Sequence, residues 1–374
     1  MGLDLLGGLA PREFLARHWQ KRPLVVRGAV PGFRGAATPR ELFAIAGRDD
    51  AESRLVSRSR GRWHLRHGPF AARTLAAMPR RGWTLLVQGV NEFLPAADAL
   101  MRRFAFVPYA RLDDVMASYA VPGGGVGPHF DSYDVFLLQG LGRRRWRIGA
   151  QRDRTLDPRA PLRVLARFRP EAEWILEPGD MLYLPPRYAH EGVALDECTT
   201  WSIGFRAPSA TEYARGFLGF LADRLDLAGR YADPDLAPQH HPAEIGSAMV
   251  ERVAAMLAGV RWRRADIEAF LGEFLSEPKP RVVFDPPRSP LGPARFAAAV
   301  RRRGVRLDLR TIMLFRGAHV YVNGERAPMP RGTRHALVAL ADRRALAPAE
   351  VDTPLLPLLH VWYRAGYLHP GPPA

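Results

Sequence analysis

Between residues 114 and 206 the chain carries six short apolar segments: "VMASYAV", "DVFLLQ", "RWRIG", "EWILEP", "DMLYLP" and "TTWSIGF". Several are separated by Gly or Pro turns such as Pro178-Gly179. Many short strands joined by regular turns point to an antiparallel sandwich or barrel. Upstream, "PREFLARHWQKRP" from residue 11 reads as an amphipathic helix stopped by Pro23, and "LVVRG" as a short strand. Residues 53–69 read as a hairpin turning near Gly61, and "WTLLVQGV" at 83–90 as a buried strand.

After "RAPS" at 206–209 the character changes. Residues 210–229, 243–258 and 263–275 carry helical spacing, and the proline-rich stretch 276–293 reads as a linker or boundary. The last part reads helix, strand pair, helix, helix, with a hairpin in "HVYVNGERAPM" turning on Asn323-Gly324. That pattern fits a small α+β domain with a β-wing. A length of 374 residues is too great for one average domain.

No run approaches the roughly 18 apolar residues of a membrane span. The start lacks a basic region followed by an apolar block, so no secretory signal is expected. Cys198 is the single cysteine, which cannot form an internal disulfide and fits a reducing cytoplasm. The formal charge of +16 is nearly all arginine, since Lys21 and Lys279 are the only lysines. An arginine-favouring genome explains this, and so does attraction to nucleic acid or a ribonucleoprotein. The arginines look spread along the chain, densest in "GRRRWR" at 142–147 and "RRRG" at 301–304.

The stretch "VPGGGVGPHFDSYDVFLLQG" at 121–140 sets four glycines ahead of a His-x-Asp pair. On an extended segment His129 and Asp131 leave from the same face. Two ligands of one metal are set out this way, and so are two polar residues on a solvated strand. His190 follows in "GDMLYLPPRYAHEGVAL", delivered by a turn, a strand and a short loop. Two ligands on one strand and a distant His returned by a later strand is the layout of a two-His, one-carboxylate site for Fe(II), with open positions for a cosubstrate and O2. If "RRRWRIG" is a strand, Trp146 and Ile148 face inward and carry Arg144 with them. A lone inward guanidinium is costly unless paired, and a dicarboxylate cosubstrate would pair it through a bidentate fork. Ser118, on a strand across the barrel, is placed to add a hydroxyl to the same carboxylate, although a strand serine on its own is usually just packing.

These motifs resemble the JmjC-type Fe(II)/2-oxoglutarate oxygenases, and more narrowly the bacterial ribosomal oxygenases. The likeness is carried by "FLARHWQKRPLVVRG", "SRLVS", "LLVQGVN", "VPGGGVGPHFDSYDVFLLQGLGRRRWRIG", "EPGDMLYLPPRYAHEG" and "SIGFRAPS". It runs from about residue 13 to 206 and continues more weakly to the C-terminus. It implies a double-stranded β-helix (the cupin or JmjC jelly roll) over residues 1–208, a helical dimerisation region over 209–277 and a winged-helix-like α+β domain over 278–374. It also places His129, Asp131 and His190 on the iron ligands, and Arg144 with Ser118 on the far carboxylate of 2-oxoglutarate. Val126 departs from the pattern, standing where some related oxygenases carry a hydroxyl residue.

The activity so implied is hydroxylation, with Fe(II), 2-oxoglutarate and O2, of an arginine at C3. The target is an arginine-containing loop of a large-subunit ribosomal protein, protein sixteen, and the enzyme is a cytoplasmic homodimer. An arginine substrate needs acidic or aromatic neighbours. Asp113, Asp114, Tyr133 and Ser202 are the candidates, with Tyr133 sharing the parity of His129 and Asp131; the two aspartates equally suit a cap. Two alternatives stand beside this activity. One is a JmjC oxygenase with another target, a histidine hydroxylase or a demethylase. The other is a non-catalytic cupin-like module that binds ribosome or RNA. A winged helix raises DNA binding, but "LLPLLHVWYRAGYL" is largely apolar and no helix there shows a basic recognition face, so direct nucleic-acid binding by the protein is not expected.

Overall fold

Twelve strands precede residue 206: β1 (Leu24–Val26), β2 (Ser53–Ser59), β3 (Arg62–His67), β4 (Trp83–Val87), β5 (Leu112–Ala120), β6 (His129–Phe130), β7 (Val135–Gln139), β8 (Arg144–Gly149), β9 (Ala172–Leu176), β10 (Met181–Leu184), β11 (Ala189–Ala194) and β12 (Cys198–Phe205). In the computed structural model, which describes residues 5–372, they form two antiparallel sheets. One has the order β1-β10-β7-β12-β5-β4-β2-β3, the other β6-β11-β8-β9. From β5 onward the chain crosses between sheets: β5, β7, β10 and β12 stay in the large one, while β6, β8, β9 and β11 make the small one. This is the double-stranded β-helix expected from the sequence.

Period-two alternation decides what each face of the large sheet does. On β12, Trp201, Ile203 and Phe205 enter the main core, whereas Thr200, Ser202 and Gly204 line an interior cavity. On β5, Val115, Ala117 and Tyr119 take the core side, with Asp114, Met116 and Ser118 on the cavity side. The core side is covered by the helix Pro11–Arg17, which begins on a proline whose missing N–H costs nothing at that position. Its buried residue, Phe14, packs on Phe136 and Tyr183 with ring centroids 5.5 and 4.9 Å away. Each such fully buried ring contributes roughly 1.5–3 kcal/mol. Between the sheets lies a second cluster that includes Leu137, Trp146, Ile148, Leu176 and Leu182. The glycine-rich approach to β6 also has a packing reason. Gly127 adopts a left-handed φ of 77°, and a Cβ there would sit 2.8 Å from the Trp63 ring.

The chain divides into two compact units. The first runs to Ala207 and takes in Pro278–Ile312 and the segment from Pro330; the second comprises Pro208–Glu277 and Met313–Met329. Within the second, the helix expected over 210–229 ends earlier, at Ala222. Arg224 folds back over its last turn, donating to the Phe220 carbonyl at 3.1 Å and pairing with Glu273 at 2.8 Å. The next two helices are Ser247–Leu257 and Arg264–Ser276. The hairpin turns at Asn323-Gly324, both with positive φ, and Met313–Arg316 completes a three-stranded sheet that packs on Arg264–Ser276.

The first unit holds the helices Pro293–Arg303, Arg334–Arg343 and Leu356–Arg364, plus a three-stranded sheet of Val305–Leu307, Ala345–Leu346 and Leu368–Pro370. The strand pair suggested by the sequence is the Asn323-Gly324 hairpin, and these three strands were not foreseen; segments of two or three residues are too short to show a period. Residues 277–292 form no helix or strand, yet Lys279 pairs with Asp113 and Asp114, and Arg281 with Glu52. No helix among the described residues is long and apolar enough to cross a membrane. The expectation of no secretory signal falls partly on residues 1–4, outside the described residues.

Candidate active site

His129 and His190 face each other in register across β6 and β11, with ring centroids 4.2 Å apart. Asp131, just past the end of β6, places Oδ2 3.5 Å from His190 Nε2. One ligand atom from each of the three lies within 4.8 Å of the others. Both imidazoles are oriented from behind. Nδ1 of His129 lies 2.9 Å from the Gly127 carbonyl and Nδ1 of His190 3.1 Å from the Tyr188 carbonyl. These contacts assign the proton to Nδ1 in each ring and turn the Nε2 lone pairs to one point. Burial, with His129 beside it, pushes the pKa of His190 down to about 4. The ring is therefore neutral, the form that ligates metal. Two imidazoles and a carboxylate, with no thiolate in the cavity lining, suit Fe(II) with positions left open.

On β8 the alternation holds: Arg144, Trp146 and Ile148 are buried while Arg145 and Arg147 are partly exposed. Arg144 is 3% exposed. It donates through one terminal nitrogen to Ser118 Oγ (3.0 Å) and Thr200 Oγ1 (3.3 Å), and through the other to the Gly192 carbonyl (3.3 Å). Ser118 and Thr200 are paired across β5 and β12, so this guanidinium reaches from the small sheet to a hydroxyl pair on the large one. Gly192 makes the room, since a Cβ there would lie 2.8 Å from Arg144 Nε. That Nε has no hydrogen-bond partner, and no carboxylate among the described residues forms an ion pair with Arg144. Burial lowers its pKa. A buried cation facing a cavity without a counter-charge is expensive, and an anion in that cavity relieves it.

Every residue singled out from the sequence lines this one cavity of about 270 Å³: His129, Asp131, His190, Arg144, Ser118, Tyr133, Asp113, Asp114 and Ser202. Tyr133 is 39% exposed, whereas Asp114 is 2% exposed. Asp114 accepts from Gln88 Nε2 at 2.8 and 3.0 Å and from Lys279 Nζ at 2.7 Å. Asp113 lies 3.1 Å from Lys279 and 3.6 Å from Arg206. Burial alone would lower the pKa of Lys279; the two carboxylates more than reverse it. Sequence reasoning missed Thr200, Gln88 and Lys279. Thr200 shares the inward parity of Ser202 and was recoverable from it. Lys279 offered no local signal beyond being one of two lysines.

Comparison with known proteins identifies the family. Residues 99–213 match the JmjC domain and residues 259–369 the ROXA-like winged helix. The ribosomal protein uL16 3-hydroxylase of Escherichia coli K12 is 38% identical, over 95% of this chain and 96% of that protein. A probable ribosomal oxygenase of Haemophilus influenzae is 35% identical over 70% of this chain and 66% of its own length. Among solved structures, E. coli YcfD superposes with a TM-score of 0.85 at 36% identity, covering 97% of this chain and 98% of that one. The same ribosomal oxygenase in complex with cobalt and 2-oxoglutarate gives a TM-score of 0.80. The chain belongs to the JmjC ribosomal oxygenases.

Proposed function

We propose that this protein is an Fe(II)- and 2-oxoglutarate-dependent oxygenase that hydroxylates C3 of an arginine in a large-subunit ribosomal protein, the counterpart of uL16. The observation that carries this reading is the buried, uncompensated Arg144 guanidinium in the same cavity as the His129, Asp131 and His190 cluster. A metal-binding triad alone fits many reactions; a triad with an inward cation fits a small dianion bound beside the metal. Iron with 2-oxoglutarate and O2 supplies the oxidising power for inserting oxygen into a C–H bond, with succinate and CO2 as by-products.

The chain's own residues do the positioning. His129 and His190 present Nε2 because the Gly127 and Tyr188 carbonyls hold Nδ1. Arg144 receives the far carboxylate, and Ser118 and Thr200 hold the guanidinium in place. In the same cavity Tyr133 and Ser202 offer oxygens to a substrate guanidinium, beside Asp113 and Asp114, whose carboxylates are already shared with Lys279. The Trp146 side chain and the leucines between the sheets keep the site shielded.

The second unit supports assembly as a homodimer. None of the residues of Ser247–Leu257 is buried within the chain, and Met249, Val250, Val253, Met256 and Leu257 are exposed. A ribosomal protein substrate and the unpaired, buried Cys198 support a cytoplasmic location. The test is incubation of the purified protein with Fe(II), 2-oxoglutarate and peptides from large-subunit proteins, read by mass and fragmentation. A gain of one oxygen on an arginine is expected. Oxygen on a histidine, or loss of a methyl group from lysine, would move the substrate assignment to the other JmjC activities.

A further inference from the structure

Read along the chain the arginines look evenly spread, but the fold gathers them. The hairpin segment 53–68 holds five arginines and no carboxylate, and the loop 150–170 holds six arginines and two aspartates. Together they carry nine of the sixteen net positive charges in about a tenth of the chain. The two segments meet. A Cβ on Gly127 would lie 2.8 Å from Trp63 of the hairpin and 3.0 Å from Val164 of the loop. Trp63 and Arg62 also share a recess with Asp157 and Arg159. The Leu165 amide donates to the Pro128 carbonyl at 2.8 Å, tying the loop to the residue before His129. The basic surface thus adjoins the segment that delivers the first metal-site histidine.

Ten of these eleven arginines are exposed, and among the described residues Arg159 alone of the ten forms an ion pair, with Asp157. Three guanidinium groups lie over aromatic rings, Arg58 over Trp63 and Arg154 over Phe130, each at 5.1 Å, and Arg66 over Phe70 at 5.7 Å. Unneutralised charge at this density calls for a polyanion. A membrane surface would need an apolar face as well, and Leu156 is the one large apolar side chain of these segments that is exposed. Closely spaced guanidinium groups with flat rings between them match a phosphodiester backbone and its bases.

We propose that this surface binds the phosphate backbone of RNA, so that the cavity beside it meets a target protein in an RNA-bound setting. The choice of RNA over DNA rests on the ribosomal substrate assigned above. This departs from the expectation of no direct nucleic-acid binding, which rested on the apolar C-terminal segment; that segment takes no part in it.

The test is fluorescence anisotropy of the full-length protein with a labelled mixed-sequence RNA, titrated between about 50 and 200 mM salt. Tight binding that weakens steeply with salt is expected. A variant with Arg60→Gln, Arg62→Gln, Arg163→Gln, Arg167→Gln and Arg169→Gln should bind at least about tenfold more weakly, with a salt slope lower by about three to four. A control with Arg301→Gln, Arg302→Gln and Arg303→Gln should bind as wild type. Absence of binding at low salt would overturn the proposal. So would equal weakening per charge in the control, or equal affinity for anionic lipid vesicles. Binding is read without turnover. A protein that binds RNA yet hydroxylates no ribosomal peptide would count against the substrate assignment, and one that hydroxylates but ignores RNA against this surface.

Discussion

Replacing Arg144 by methionine separates a cosubstrate anchor from a structural cation. The change removes three hydrogen bonds, to Ser118, Thr200 and the Gly192 carbonyl, each worth about 1 kcal/mol net. It leaves little unsatisfied, because Ser118 Oγ still lies 3.4 Å from the Thr200 carbonyl and Thr200 Oγ1 3.1 Å from Gln139. It also removes a buried cation without a facing carboxylate, whose desolvation costs several kcal/mol. The two effects offset, so the ligand-free variant should match wild-type stability within roughly 1–2 kcal/mol, or exceed it.

Ligand-linked stability should behave oppositely. At one hundred times its dissociation constant 2-oxoglutarate should stabilise the wild type by about 2.7 kcal/mol. Loss of a buried charge pair worth about 2–5 kcal/mol should weaken that binding by roughly 30- to 5,000-fold, and the stabilisation should fall to about 0.9 kcal/mol or less in the variant. Urea unfolding with Mn(II), with and without 2-oxoglutarate, reads both quantities without turnover. A variant that loses more than about 3 kcal/mol unliganded, yet keeps the whole 2-oxoglutarate shift, would refute the assignment of Arg144.

Three further outcomes follow from other residues. His129→Ala should retain less than about a tenth of the wild-type iron by elemental analysis while melting normally, because the three-ligand set is broken but the core is not; full metal retention would place the metal elsewhere. Lys279→Met strands the buried Asp114 carboxylate with Gln88 alone and should cost about 2–4 kcal/mol in urea, most of it recovered when Asp114→Asn is added; no recovery would mean that the ion pair is not the source. Burial opposes ionisation of Asp308, but hydrogen bonds from His369 and Arg310 more than reverse it and hold the carboxyl well below the usual range. A depressed carboxylate contributes stability above its unfolded pKa of about 4 and loses it as pH falls below that value. Asp308→Asn should therefore flatten the acid limb of the stability curve between about pH 4 and 2, and an unchanged difference from wild type across that range would count against the network.

Local pattern carried much of this molecule. The alternation in "RRRWRIG" is enough to turn Arg144 inward, since Trp146 and Ile148 cannot face water together. The parity of His129 with Asp131 and of Ser118 with Met116 follows from the same period, and all of these line the cavity. Long-range pairing was not legible. Lys279 reaches Asp114 from a proline-rich segment with no period of its own, and Gln88 is an ordinary residue until Asp114 is placed beside it. Just past the early end of the helix at Ala222, Arg224 pairs with Glu273, a partner some fifty positions away. The gathering of hairpin and loop arginines depends on Trp63 and Val164 meeting at Gly127, which charge counts along the chain cannot show.

The most direct measurement is a crystal structure grown with Mn(II) and 2-oxoglutarate, with the metal located by anomalous scattering. The metal should lie about 2.0–2.3 Å from Nε2 of His129, a carboxylate oxygen of Asp131 and Nε2 of His190, with the distal carboxylate of 2-oxoglutarate hydrogen-bonded to Arg144. A metal bound away from these three side chains, or a 2-oxoglutarate whose far carboxylate turns from Arg144, would contradict the site.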